Sequence, residues 1–391
     1  MSRTRGLLVL LSAANLVIGS GAFGLTGLLV PVAAALDTSV AAAGQTMTAY
    51  ALANAVLAPL LLMATGHWSR RATLQLALAL FTAGLLACAS ATHLGVLLLG
   101  RVLMGAGAML TPAAAGIAVA LVAPAQRGQA LSLVFLGMSL SYVVGLPLSA
   151  WLGQLAGWRT PVAGFAALAL LMLVLVSLRV PRQLNAPGAR FDGLGPLLRL
   201  RDVRQALALT LLYFTAIFAV FGYIGPVMQA LNPMDSRALS LTLMAFGVAG
   251  VAGTVSGGWA ADRFGPLRTL RVQLAGLALM MALVPLTRGS HAAMVAVFGV
   301  WGVCGFGMMA PQQSRLAMVA PAQAPLLMSL NASMLYVGTA LGAAVGGLGS
   351  TVLGFERLAW LALVFAAAGG LTLWPVRPSA SATVPAHERP R

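Results

Sequence analysis

The sequence predicts an all-α integral membrane protein of twelve transmembrane helices in two six-helix pseudo-repeats, and three observations lead there. Hydrophobic residues make up 60% of the 391 positions and charged residues 8%, with a mean hydropathy of +0.94; ordinary soluble domains carry about 25% charged residues. Apolar runs of spanning length recur along the chain, about 20 residues at 1.5 Å rise being enough to cross a ~30 Å hydrocarbon layer. Finally, VALVAPAQ at Val119 to Gln126 returns as LAMVAPAQ at Leu316 to Gln323, each at the end of the fourth apolar run of its half.

The first run, 7–35, follows Arg3 and Arg5 as a secretory signal would. It continues well past a signal core of 7 to 15 residues and is read as an uncleaved helix. It contains GSGAFG, Gly19 to Gly24, with Asp37 downstream. That glycine spacing binds a pyrophosphate only after a strand and at the start of a helix. Here the flanks are uncharged from Gly6 to Leu36, so the glycines are read as packing positions, with Ser20 and Gly24 on one face where a neighbouring helix comes close.

Runs at 40–65, 72–91, 94–123, 129–156 and 161–178 complete a first bundle, residues 1–178. Residues 179–204 form the one long polar loop, with Pro181, Pro187, Pro196 and six arginines. Runs at 205–231, 238–261, 269–287, 291–320, 325–353 and 357–376 make the second bundle, residues 205–376. The remaining residues, 377–391, have too little apolar surface to order themselves and are expected to be a flexible tail.

Arginines test this topology, because cytoplasmic loops accumulate positive charge. With the N-terminus inside, eighteen fall on the cytoplasmic side, four outside (Arg159, Arg237, Arg288 and Arg357), and Arg101 alone sits inside a helix. Both termini are then cytoplasmic, as an even helix number requires. The net charge of +16 comes without a single lysine, and its arginines lie in short runs between apolar segments. That pattern speaks against a nucleic-acid partner. Cys88 and Cys304 are isolated in apolar segments, so no metal or disulfide framework is indicated. No cofactor is expected, and an enzyme is disfavoured by the lack of any nucleophile–base pair or phosphate loop in credible context.

GGWAADRFGPLRTL, from Gly257, lies between helices eight and nine. Gly258 permits close packing, Asp262 and Arg263 place opposite charges at the membrane surface, Gly265 turns the chain and Arg268 holds the loop inside. The stretch resembles the G-x-x-x-D-R-x-G-R-R signature loop of the major facilitator superfamily. The likeness runs from GLLVPVAAAL in helix one to LNASMLYVGTALGAAVGG in helix eleven, and is strongest to bacterial drug and sugar efflux permeases of the arabinose-efflux type. GRVLMGAGA resembles the family's fourth-helix R-x-x-x-G pattern, with Met104 where glutamine is common. GMSLSYVVGLPLSAWLGQLAGWR resembles its fifth helix, with Gly145 and Pro147 on a small-residue packing face. The resemblance implies that Asp262, Arg263 and Arg268 serve an inner gate, and Arg101 the cavity.

Two departures qualify that inheritance. The first copy of the loop reads LMATGHWSRR, so Gly66 replaces its aspartate and only Arg70 and Arg71 keep the gate pattern. Related exporters also often carry a glutamate where this chain has Ala22. None of the seven acidic residues lies inside a predicted helix, whereas proton coupling in transporters commonly uses a shielded Asp or Glu. Asp37, at the outer end of helix one, is the possible proton site if it dips into the cavity; Asp262 is the other candidate.

Arg101 is costly at its depth unless it faces water or a partner, and a substrate role is expected for it. Arg315 lies nearer the surface, where snorkelling is easy. Asn54, Gln312, Gln313 and Asn331 offer hydrogen bonds either to substrate or between helices. Tyr50, Tyr142, Tyr223 and Tyr336 could stack on a ligand or pack. The expectation is a monomeric secondary transporter of the bacterial inner membrane that moves a small organic solute outward by rocking its halves. An uncoupled facilitator or importer is the alternative within transport. A non-transporting sensor or scaffold would show a filled interior around Arg101.

Overall fold

The computed structural model describes residues 2–123, 126–181, 194–320 and 323–373. Eleven of its helices are long and apolar enough to cross a membrane among the described residues: α1 (Thr4–Gly27), α2 (Val40–Ala64), α3 (Arg70–Ala89), α4 (Leu94–Ala120), α5 (Arg127–Ala156), α6 (Arg159–Arg179), α7 (Arg201–Phe221), α8 (Ser236–Phe264), α9 (Pro266–Thr287), α10 (His291–Val319) and α11 (Leu326–Leu353). The twelfth, α12 (Leu358–Leu371), has 14 residues. Its last turn tightens, Thr372 and Leu373 donating backbone N–H to the Gly369 and Gly370 carbonyls. The expected loop at 179–204 contains a short helix, Leu194–Arg199, and gives way to α7 at Arg201, earlier than its apolar run. The tail expected at 377–391 lies outside the described residues.

Breaks recur at matching places in the two halves. α1 is α-helical only to Gly24, passes through a 3-10 turn at Leu25–Gly27 and is followed by a separate helix, Leu29–Ala35. Likewise α7 stops at Phe221 and a helix Ile224–Leu231 follows. α4 is interrupted at Ala108–Met109 and α10 at Gly307–Met308. In both cases a proline stands four residues beyond the start of the break, Pro112 and Pro311, where its missing N–H and its ring spoil the bond to the i−4 carbonyl. Pro147 acts the same way in α5, four residues after Val143 in the π-helical turn Ser141–Gly145.

Each half is also tied by a buried polar node joining its first, fourth and fifth helices. In the first half, Thr111 Oγ1 donates to Asn15 Oδ1 at 2.7 Å, and Asn15 Nδ2 to the Val134 carbonyl at 3.3 Å. In the second, Thr210 Oγ1 donates to Asn331 Oδ1 at 2.5 Å and Gln312 Nε2 donates to Thr210 Oγ1 at 3.0 Å. Lipid offers such groups no water, so they find each other. The six-helix repeat is therefore built into the cores of the halves as well as the VAPAQ segments.

GSGAFG is part of the α1–α5 seam. A Cβ at Gly19 would strike Ser141, one at Gly24 would strike Ser149, and Gly145 and Gly137 of α5 in turn admit Ser20 and the Ser12 carbonyl. The glycines and serines interlock in both directions, as the packing reading expected. Between the halves, α2 packs along α11 and α5 crosses α8. At the ends opposite the N-terminus, Gly225 lies against Gly27, and Gly44 and Gly347 close around Tyr223.

Gly265 ends α8 and opens α9 at φ 85° and ψ 151°, with Pro266 as the first residue of α9. Only glycine adopts that backbone without strain. Gly265→Ala is expected to cost about 1–3 kcal/mol, read as a lower thermal midpoint in detergent. Gly116→Ala, in a helix with nothing within 4 Å of the new methyl, is expected to leave the midpoint unchanged or raise it slightly.

Candidate functional site

Arg101 lies seven residues into α4, roughly 10 Å along the helix axis, and its side chain is fully buried. Nε donates to the Thr46 carbonyl at 3.1 Å, Nη1 to Gly21 at 3.1 Å and Nη2 to Ala22 at 2.7 Å. The guanidinium carbon lies 4.8 Å from the centre of the Tyr50 ring, and the Met47 and Met104 sulfurs flank it. Gly21 and Ala22 belong to the last α-helical turn of α1, where the helix dipole favours a cation. The break at Gly24 thus supplies what Arg101 needs. At Ala22, where the resemblance to efflux permeases implies that a glutamate is often found, the backbone oxygen receives the guanidinium instead. Among the described residues, no Asp or Glu is buried.

Beside Arg101, polar groups from both halves converge. Asn54 of α2 neighbours both Tyr50 and Tyr336 of α11, and Tyr142 of α5 lies within electrostatic reach of both tyrosines. Asn54 is 5% exposed, and its Nδ2 has no hydrogen-bond partner among the described residues. Tyr142 and Tyr336 are half-buried in the middle of their helices. The π turn at 141–145 places Tyr142 where α5 meets α8: a Cβ at Gly247 would strike the Tyr142 carbonyl.

On the side away from the N-terminus, aromatic rings fill the gap between the halves. Phe23 stacks on Tyr142 at 4.9 Å between centroids, Tyr142 meets Phe306 at 4.8 Å, and Phe221 contacts Phe23 at 5.9 Å and Phe246 at 5.9 Å. Beyond them the Tyr223 hydroxyl donates to the Ala343 carbonyl at 3.0 Å and accepts from Gln45 Nε2 at 3.2 Å. Rings, the Gly44–Tyr223–Gly347 wedge and the Gly27–Gly225 contact together close one end.

Several expected cavity residues serve elsewhere. Gln312 and Asn331 are buried in the α7–α10–α11 node and hydrogen-bonded there, so they tie helices and do not line the centre. Arg315, 8% exposed, lies one turn beyond Gln312 toward the N-terminal end of the bundle, within electrostatic reach of Asp202 and Arg271. Arg101 remains central but has no exposed surface in this conformation. Asp37 does not dip inward: it is exposed in the turn before α2, with φ 48°. In the signature loop, Asp262, Arg263 and Arg268 are exposed and make no ion pair among the described residues. Close packing there belongs to Gly257, whose Cβ would strike the Gly307 carbonyl, whereas a Cβ at Gly258 would meet only Ala310 at 3.7 Å. Arg70, buried, and Arg71 open α3 behind the Ser69 cap. Gly145 and Pro147 are buried in α5, and a Cβ at Gly145 would strike Ser20.

The aromatic seal escaped the sequence reading. Its signal was present in Phe214, Phe218 and Phe221, spaced to share one face of α7. Among the described residues, no three His, Cys, Asp or Glu side chains stand together as a metal would require.

The Major Facilitator Superfamily profile matches residues 11–323. The chain belongs to this family. It is 32% identical over 337 residues to the inner membrane transport protein YdhP of Escherichia coli (strain K12), covering 84% of this chain and 85% of that one. It is 25% identical over 354 residues to the uncharacterized MFS-type transporter YbcL of Bacillus subtilis (strain 168), covering 90% of each. Among solved structures, a bacterial homolog of the human lysosomal transporter Spinster, inward-facing and occupied, superposes with a TM-score of 0.82 at 15% identity, over 94% of this chain and 96% of the other. The nucleoside transporter NupG gives 0.76 at 14% identity, over 95% and 98%. These likenesses establish a multi-pass membrane transport protein of the major facilitator fold.

Replacing Arg101 tests its anchoring role. Arg101→Lys keeps the charge but cannot span three carbonyls from two helices, and each charge-assisted bond lost costs about 1.5–3 kcal/mol. A lowered thermal midpoint is expected for Arg101→Lys and a larger loss for Arg101→Ala. An unchanged midpoint in both would show that the carbonyls do not depend on the guanidinium.

Proposed function

We propose that this protein moves a small organic solute across the bacterial inner membrane by alternating access, the halves 1–178 and 205–376 rocking about the Tyr50, Asn54, Tyr142 and Tyr336 cluster. The observation that carries this reading is the cluster's origin in α2, α5 and α11: a site shared by two halves is remade whenever they tilt. Positive-inside counting predicts cytoplasmic termini, which puts the aromatic seal on the periplasmic side, the closure an inward-facing state requires. Asp262, Arg263, Arg268, Arg70 and Arg71 take the inner-gate role; the exposure of Asp262, Arg263 and Arg268 suits a gate that is open. Without a coupled gradient the net flux follows the solute's own gradient, and the motif resemblance to efflux permeases favours export where the solute is more concentrated inside. The protein acts as a monomer.

A second feature separates this chain from proton-driven exporters. With no buried carboxylate among the described residues and the Ala22 carbonyl in the glutamate's place, the reading is transport without proton coupling. Arg101 then acts by positioning α1, α2 and α4 and by its uncompensated charge, which disfavours cations and suits neutral or weakly anionic solutes.

Solute panels offered to proteoliposomes, with and without an imposed pH gradient, test this directly. Some solute should equilibrate at a rate the gradient does not change, and Tyr336→Ala should slow that flux at least about tenfold, as loss of ~1.4 kcal/mol of recognition does. Accumulation that follows the pH gradient contradicts the uncoupled reading. If nothing in a broad panel moves, the sensor or scaffold reading takes over.

A further inference from the structure

On the lipid-facing side of the second half, α9 and α12 leave a groove of about 500 Å³ between them, lined by Leu274, Ala275, Ala278, Ala366, Ala367 and Gly370. Small side chains on both helices make this hollow. It runs roughly 10 Å along α9, from Ala278 to Arg271 at the end of the bundle that carries the N-terminus. Arg271 is exposed at the mouth, where Nε and Nη2 donate to the Leu373 carbonyl at 3.3 and 3.0 Å. Its Nη1 has no partner among the described residues.

The mouth is positive beyond that one charge. Arg315 lies behind it within electrostatic reach of Arg271, 8% exposed, with Nη1 buried and without a hydrogen-bond partner among the described residues. Asp202 is the opposing charge there, and it forms no ion pair with Arg315 among the described residues. Arg268 stands three residues before Arg271, on the same side of α9 and nearer the membrane surface. An apolar channel at acyl-chain depth, opening on arginines at headgroup depth, matches one molecule in a bilayer.

We propose that the α9–α12 groove is a binding site for an anionic phospholipid, one acyl chain lying between Ala278 and Gly370 and the phosphate on Arg271. Basic pockets between transmembrane helices hold anionic headgroups because the phosphate stays paired while its chain stays in hydrocarbon. Electroneutral phosphatidylcholine fits the channel equally well but brings a choline cation to the arginines. The site is separate from the tyrosine cluster and independent of whether or what the protein transports.

A photoreactive benzoylphenylalanine in place of Ala367, on the exposed wall of the groove, tests this in the full-length protein. Vesicles contain equimolar phosphatidylglycerol and phosphatidylcholine with matched chains, and adducts are counted by mass spectrometry. The expected ratio favours phosphatidylglycerol by about fivefold. Arg271→Gln should bring the ratio near parity, and Arg271→Lys should preserve most of it. Because both lipids compete in one sample, the ratio is unaffected by a loss of folded protein. Parity in the parent, an unchanged ratio in Arg271→Gln, or capture of the chain's own C-terminal residues in place of lipid would each overturn the proposal.

Discussion

A buried guanidinium held on three backbone carbonyls, without a carboxylate, is the constraint around which the first half is arranged. An arginine at this depth is costly unless partnered. The partners are the Gly21 and Ala22 carbonyls, in the last α-helical turn of α1, and Thr46 on α2. Everything nearby follows from keeping those groups in register. Glycines and serines let α1 lie close to α5, Phe81 of α3 packs on Gly21, and the Tyr50 ring covers the guanidinium. The charge is satisfied by dipoles, so its field is not cancelled, and that field reaches the adjoining tyrosine cluster.

The second half solves the same geometric problem without an equivalent charge. Its interrupted helices and its polar node of Gln312, Thr210 and Asn331 repeat those of the first half, and neutral hydrogen bonds tie its helices. Each half is thus internally tied, while at the sealed end the halves meet through rings, glycines and the Tyr223 hydroxyl. Aromatic faces and small residues slide and re-pack at lower cost than buried hydrogen bonds break. Such a contrast between firm halves and a soft seam is what rigid-body rocking requires.

Much of this was legible in the sequence. Hydropathy marked the spanning helices and VAPAQ pointed to the repeat, because lipid imposes length and composition on every helix. The packing role of GSGAFG and the turn at Gly265 followed from elementary sterics. Side-chain direction was not legible. Gln312 and Asn331 look like cavity amides in a linear reading, since nothing along the chain says that Thr210 stands opposite them. Asp37 could be placed at a helix end but not turned inward or outward. Gly257 and Gly258 differ only in helical phase, and the structure selects Gly257. The aromatic seal draws on α1, α5, α7, α8 and α10, and only tertiary structure assembles it.

Rocking of the two halves is tested most directly by paired distances on opposite sides of the tyrosine cluster. Spin labels on Ser39→Cys and Val352→Cys would report the sealed end, and labels on Met63→Cys and Met328→Cys the other, in full-length protein within lipid nanodiscs. Two populations are expected, in which one distance lengthens as the other shortens. A single unvarying distance at both ends across solutes and lipids, or two distances that change in the same direction, would contradict the account.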